Sequence, residues 1–263
     1  MKTVGIDIGS LSTKIVLLDD NNKIKNYKIA RSTHNFQKIG HQLFNQIMSE
    51  ENLKKKDVFI MSTGYGRHTI DIADQKVTEI TAHAKGVLYF FPDATSVIDI
   101  GGQDSKAILI SSKTKSPIDF QMNDKCAAGT GRFLEVMANA LEVPIEKLGD
   151  LALRSKKPES ISSTCTVFAE SEVISLFAQG AKKEDIAAGI HKSIARRVAS
   201  MAKRISVKPQ LIFCGGVAKN PAVKVFLEKE LEFKIEIPQF NNNLDAPQIT
   251  GALGAALIAQ EKV

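Results

Sequence analysis

Cysteine is scarce: three residues in a chain of 263, too few and of the wrong parity for a framework of paired disulfides. No charged-then-apolar leader with a cleavage site precedes Val4, so the expected compartment is the cytoplasm, where thiols stay reduced. Three thiols therefore need another explanation. No apolar run approaches the roughly 20 residues that cross a bilayer, which argues against a membrane role. A long block of one charge is also missing. Lys and Arg number 35 against 29 Asp and Glu, a net charge of +6, and the only basic run of three is Lys54-Lys55-Lys56. Charge so dispersed suits an anionic ligand and argues against a nucleic-acid surface. Two nucleotide signatures are absent as well. There is no G-x-x-x-x-G-K-[ST], and Gly129-Thr130-Gly131 lacks the third glycine of a dinucleotide fingerprint, so P-loop and Rossmann mechanisms are not expected.

What is present is ordinary soluble composition, 43% hydrophobic and 24% charged with 17 Gly and 8 Pro, enough chain for one large or two modest cores. An internal repeat organises it. Residues Ile6 to Val16 align without a gap on Ile98 to Ile108, an offset of 92, with Asp, Gly, a hydroxyl and Lys recurring in phase. In each copy a β-branched run ends in Asp-x-Gly, a short polar turn follows, and a second apolar run leaves it, which predicts a β-hairpin. Third strands are predicted at Ile24 to Ala30 and Ile118 to Met122, and a buried strand at Val58 to Ser62. Helical spacing marks Phe36 to Glu50, Thr78 to Phe90, Arg132 to Leu141, Val167 to Gln179 and Ile186 to Ile205. Phe91-Pro92-Asp93 breaks the chain before the second Asp-x-Gly. The expectation is an α/β chain of two duplicated half-domains, 1–93 and 94–246, with a small-residue helix in 247–263 packing on the first and a ligand cleft between the halves.

A strand that ends in Asp and turns through Gly and hydroxyl residues aims backbone N–H groups and a carboxylate into one space, which is chemistry for a phosphate and its Mg²⁺. Asp7 and Asp99 are thus candidates to hold magnesium-bound water. Gly9, Ser10, Ser12, Thr13 and Lys14 would wrap phosphates on one side, and Gly101, Gly102, Gln103 and Asp104, on to Lys106, on the other. A third glycine turn, Gly215-Gly216-Val217-Ala218-Lys219, follows the apolar strand Leu211 to Cys214 and precedes a helix at Pro221 to Leu231. Together the three loops resemble the actin-hexokinase-Hsp70 superfamily of ATPases, with its ribonuclease-H-like halves around a nucleotide cleft. In that superfamily the helix before the second loop starts with an acidic or amide residue that positions the attacking water, and Glu79 occupies the matching place.

Cys126 and Cys165 each stand just before a helical run, where unpaired N–H groups and the helix dipole favour a thiolate. They are 39 residues apart, which is no one-chain zinc or ferredoxin spacing. Two thiolates are half of a Cys₄ iron-sulfur site that a two-fold dimer could complete. Two small semi-buried cysteines are the competing reading. Cys214, inside an apolar strand, reads as core.

The segments around Cys126 and Cys165, with Thr63-Gly64-Tyr65-Gly66-Arg67, Glu79 to Ala84 and Ile98 to Lys106, resemble the activators of 2-hydroxyacyl-CoA dehydratases, the ATPase subunits of benzoyl-CoA reductase and the reductases of double-cubane-cluster proteins. The resemblance runs from Val4 to Ala259. It implies a homodimer that bridges one [4Fe-4S] cluster through Cys126 and Cys165 of each chain, and ATP hydrolysis coupled to one-electron transfer in anaerobic metabolism. A reduced ferredoxin or flavodoxin would be the donor and an iron-sulfur enzyme the acceptor. It also implies that Ser10 to Lys14 and Gln103-Asp104 meet phosphates, while Gly216 to Lys219 and Gln248 lie near the adenosine. The first loop reads Ser10-Leu11-Ser12-Thr13-Lys14 where several dehydratase activators have Ser-Thr-Ala-Ser-Lys. Its hydroxyls and lysine are kept, so ATP binding is expected, whereas the acceptor's acyl-CoA is not written in this chain. The competing functions are a small-metabolite kinase of the same superfamily, which would have no use for two helix-start cysteines, and an ATP-regulated scaffold without a cluster.

Overall fold

The computed structural model describes residues 1–162, 165–240 and 245–263. Ser163 and Thr164, inside the motif before Cys165, lie outside the described residues. The elements run β1 (Lys2–Ile8), β2 (Ser12–Leu18), β3 (Ile24–Arg31), α1 (Phe36–Glu50), β4 (Val58–Thr63), β5 (Gln75–Lys76) and α2 (Glu79–Phe90). There follow β6 (Ser96–Ile100), β7 (Ser105–Ile110), β8 (Pro117–Asn123), α3 (Gly131–Ala140), α4 (Ile145–Ala152), α5 (Thr166–Ala178) and α6 (Lys183–Arg204). The chain ends with β9 (Leu211–Cys214), α7 (Pro221–Leu231), β10 (Ile235–Glu236) and α8 (Ala246–Gln260). Two compact units result: one of Met1–Val97, Ile108–Asp119 and Pro238–Val263, the other of Ile98–Ala107 and Phe120–Ile237.

Both predicted meanders form. The strand orders are β3-β2-β1-β4-β5 and β10-β9-β6-β7-β8, so each Asp-x-Gly strand is flanked on one side by its own hairpin partner and on the other by a later strand. In the first sheet β1 pairs antiparallel with β2, Asp7 opposite Lys14, and parallel with β4, Asp7 opposite Thr63. The period of two along β2 divides its side chains between two cores. Ile15 and Leu17 join Leu43, Phe44 and Ile47 of α1; Val16 and Leu18 join Ile249, Ala252 and Leu253 of α8. Burying each such side chain contributes roughly 1.5–3 kcal/mol, which is why β1 and β2 read as nearly continuous apolar runs. In the second unit α6 buries Ile186, Ile190, Ile194 and Val198 at every fourth position and packs on α4 and α7. Three elements were not predicted. Helix α4 follows Pro144 and is only 8 residues long, while β5 and β10 have two residues each, too short to show a period.

α8 meets α2 at backbone distance, and small residues make that possible. A Cβ on Gly254 would collide with the Ala82 carbonyl, and one on Gly86 with the Thr250 carbonyl. Gly5 of β1 meets the backbone of Ala252 and Ala256 in the same way. Helix backbones cannot give as side chains do, so Gly254→Ala should lower stability by about 1–3 kcal/mol, the usual cost of overpacking. Denaturant unfolding checks this, with Ala255→Gly as the control that removes volume instead of adding it.

Candidate functional site

In the first unit Asp7 ends β1 and is 4% exposed. The β1–β2 turn is closed by Gly9 N–H donating to the Ser12 carbonyl at 3.1 Å. Ser32 donates to the Gly9 carbonyl at 2.7 Å; with its one hydroxyl proton so used, Ser32 accepts from Thr13 at 2.9 Å. Lys14 leaves the turn and places Nζ 3.1 Å from Asp7 Oδ2. Two glycines keep the space around this carboxylate open. Gly64 (φ 86°) abuts Asp7 Oδ1, and a Cβ on Gly251 would lie 3.0 Å from Asp7 Oδ2 and 3.1 Å from His83 Nε2. Thr63, opposite Asp7, keeps a fully buried hydroxyl with no hydrogen-bond partner among the described residues. Glu79 is the first residue of α2, half-buried, behind the N-cap Thr78. Gln248 donates to Ser12 Oγ at 3.5 Å. Ser10, on the turn itself, is half-buried.

The second unit repeats the arrangement 92 positions later. Asp99, 3% exposed, ends its strand, and Lys106, 2% exposed, places Nζ 3.2 Å from Asp99 Oδ2 and 2.6 Å from Asp104 Oδ2. Gly101 N–H donates to the Asp104 carbonyl at 2.9 Å, matching Gly9 and Ser12, while Gly102 and Gln103 form the crest of the turn. The third glycine turn arrives at the same carboxylate. Gly215 (φ 88°) holds a backbone conformation open to glycine, and a Cβ there would run into the Ile100 carbonyl and lie 2.7 Å from Asp99 Oδ1. Gly216–Lys219 then make a single 3₁₀ turn with Val217 and Ala218 buried and Gly216 and Lys219 exposed. The structure thus brings together Asp99, Gly101, Asp104, Lys106 and Gly215 of the predicted set.

The two cysteines differ. Cys165 is exposed and is the N-cap residue of α5, whose first turn carries no side-chain cap and no acidic residue. Next to it the Thr166 hydroxyl is buried without a partner among the described residues. Here the N–H groups and dipole of a helix start are open to an anion. Cys126 is half-buried in the loop before α3, and that helix start is already used: Gly131 and Arg132 N–H donate to the Gly101 and Gly102 carbonyls at 2.9 and 2.7 Å. The helix-dipole argument therefore holds for Cys165 and not for Cys126, because the carbonyls of Gly101 and Gly102 take those donors. Instead Asn123 clasps the Cys126 loop, its Nδ2 donating to the carbonyls of Cys126 and Ala128 at 2.9 Å each. Glu172, two helical turns into α5, receives the Ser162 N–H at 3.0 Å and fixes the approach to Cys165. Neither Asn123 nor Glu172 stood out in the sequence, since the role of each is set by loop geometry. Cys214 is fully buried in β9, as expected of a core residue.

Asn220 connects the third glycine turn to the core. Its Oδ1 caps α7, accepting from Ala222 N–H at 3.0 Å, so its Nδ2 is the end that faces His191 Nε2 at 3.0 Å. On the other side His191 Nδ1 lies 2.7 Å from the Ala187 carbonyl, which can only accept. Nδ1 therefore carries the proton and Nε2 accepts, which leaves a second proton no place. Burial accordingly lowers the His191 pKa from 6.5 to about 4, against the opposing hydrogen bonds to Ala187 and Asn220. Between those values the unfolded chain is protonated and the folded one is not. Stability from this group is complete above pH 6.5 and drains as pH falls through about 4, by up to about 3 kcal/mol. Urea unfolding from pH 7 to 4.5 should show that decline, and His191→Gln should flatten it.

Comparison with known proteins places these loops in a family. The family model described as the BadF/BadG/BcrA/BcrD ATPase family matches residues 4–259. The 2-hydroxyisocaproyl-CoA dehydratase activator of Clostridioides difficile is 43% identical over 263 residues, 98% of this chain and 95% of that protein. The (R)-2-hydroxyglutaryl-CoA dehydratase activating ATPase of Acidaminococcus fermentans is 43% identical over 262 residues, 99% and 97% of the two chains. A solved structure of the Clostridium difficile activator with bound ADPNP superposes with a TM-score of 0.91 at 42% identity, covering 100% of this chain and 95% of that one. The fold is therefore the α/β fold of the actin-hexokinase-Hsp70 type, and the chain belongs to the BadF/BadG/BcrA/BcrD ATPase family.

Proposed function

We propose that this ATPase activates a partner iron-sulfur enzyme by delivering single low-potential electrons, as a homodimer that shares one [4Fe-4S] cluster between Cys126 and Cys165 of each chain. The observation that carries the reading is the common anchor of two loops. The start of α3 donates Gly131 and Arg132 N–H to the loop of Gly101 and Gly102. Immediately before them, Thr130 Oγ1 donates to the carbonyl of Ala127, the residue after Cys126, at 2.6 Å. A shift of the phosphate loop on nucleotide binding is thereby passed to a cysteine within a few residues.

The residues fit both groups. Buried carboxylates at Asp7 and Asp99, each beside Gly-opened space, suit Mg²⁺ held through water. Ser10, Ser12, Thr13 and Lys14, and Gly101 to Asp104, would meet phosphate oxygens; Gly216 to Lys219 and Gln248 would meet the adenosine; Glu79 would orient the attacking water. For the cluster, Cys165 supplies an exposed thiol on an uncapped helix start and Cys126 a thiol on a clasped loop. Each chain offers two ligands, so a second copy must supply the other two. The apolar surface for that copy is beside Cys165, where Val167 and Phe168 are 66% and 68% exposed on α5. When bound, the cluster would hold one electron and pass it on. Asn123 and Glu172 would keep the sulfurs in place, and Val167 and Phe168 would keep water from them. A reduced ferredoxin or flavodoxin is the proposed donor. The relatives include proteins named as dehydratase activators and a component of the benzoyl-CoA reductase of Thauera aromatica, which supports an acceptor of that class.

Protein purified without oxygen should carry roughly four iron and four sulfide per pair of chains. Cys126→Ser and Cys165→Ser should each lose the brown colour and the iron while keeping ATP hydrolysis, which uses other loops. Full iron content in both variants would overturn the cluster assignment.

A further inference from the structure

A cavity in the second unit is used by none of this chemistry. It encloses about 550 Å³ between α6, β8 and both cysteine-bearing segments, a size that suits a small-molecule ligand. α6 contributes Ser193, Arg197, Ser200 and Arg204, which share one helical stripe, with Arg196 beside them. Gln121 and Asn123 of β8 face them, and Gly129 and Ser162 close the ends. Three guanidinium groups line this space and, among the described residues, no carboxylate does. Met122, Ile161 and Met201 add apolar wall.

Arg197 is the centre of the argument. It is half-buried, and among the described residues it makes no hydrogen bond or ion pair. Its Cδ would lie 3.1 Å from a Cβ on Gly129. A guanidinium that has given up part of its hydration without gaining an acceptor favours an incoming anion, and its fork matches phosphate and carboxylate oxygens. Arg204 is exposed and equally without a partner among the described residues, whereas Arg196 reaches Glu230 at 3.4 Å. A shallower depression adjoins the cavity, shares Arg196, Ser200 and Arg204, and adds Lys203. This is not the phosphate loop. Ser105 is the one residue of β7 that lines the cavity, and Asp99, Asp104 and Lys106 do not line it.

We propose that this cavity binds a small organic anion, a metabolite bearing phosphate or carboxylate groups, with Arg197 as the principal contact, Arg204 and Arg196 at the mouth, and the hydroxyls of Ser193 and Ser200 as further partners. Because Asn123 lines the cavity and also clasps the Cys126 loop, occupancy stiffens that loop.

Calorimetric titration of pyrophosphate and of citrate into the protein saturated with Mg-ADP tests this without reference to iron content. One site per chain is expected for at least one probe, and which probe binds names the phosphate or the carboxylate class. Arg197→Gln should weaken that binding at least tenfold and leave Mg-ADP affinity unchanged. If that variant does not fold, Arg204→Gln, on an exposed residue, should weaken it severalfold. Absence of binding by both probes, or unchanged binding in the variants that fold, would overturn the proposal.

Discussion

A carboxylate and an ammonium, buried together at the end of a strand, are the contact on which this structure depends, and the chain makes it twice. Asp7 with Lys14 and Asp99 with Lys106 are the same pair 92 residues apart. Neither carboxylate could be taken from water alone; a buried charge without its partner typically costs several kcal/mol. The antiparallel hairpin delivers the partner, since closing the turn at Gly9 or Gly101 forces the lysine back over the aspartate. The loop between them is then held taut, with Ser10 and Ser12 in one copy and Gly102 and Gln103 in the other partly or fully exposed. Stability and ligand chemistry thus come from the same few residues, and the loop can be rigid because its charge is already compensated.

The second unit adds what the first does not have. Gly215 brings the third turn against Asp99, and the first amides of α3 fasten the Gly101-Gly102 turn. Since α3 also ends the Cys126 loop, any group that moves Gly101 or Gly102 moves the chain next to that thiol. Asn123 restrains the loop from β8 and Glu172 restrains the entry to Cys165. The cationic cavity under Asn123 and Gly129 touches the same restraints. Nucleotide chemistry, cysteine position and the proposed anion site therefore share one short stretch of chain.

Much of this was legible in the sequence, for definite reasons. The in-phase Asp, Gly and Lys announced both hairpins, because a strand that must end in a buried carboxylate leaves a fixed pattern. The long helices showed their apolar spacing. Helix α4 and strands β5 and β10 did not, since 8 residues or two hold too little of a period to read. The helix-start reading suited Cys165 but not Cys126, whose neighbouring amides are committed to carbonyls about 30 residues upstream. That is long-range information. For the same reason the particular roles of Thr63, His191, Asn123 and Arg197 were not legible: what matters about each is a partner, or the lack of one among the described residues, supplied by another part of the fold.

The most direct test of the account is Mg-dependent ATP turnover in Asp7→Asn and Asp99→Asn, each checked for intact folding by thermal melting. Asparagine keeps the shape of the side chain and removes the charge that would hold magnesium-bound water. The account predicts that each variant still folds, at a lowered melting temperature because its lysine loses a charge partner, and loses roughly a hundredfold or more in turnover, the scale of removing a principal electrostatic contact from an active site. Turnover close to that of the unmodified protein in both variants would contradict it.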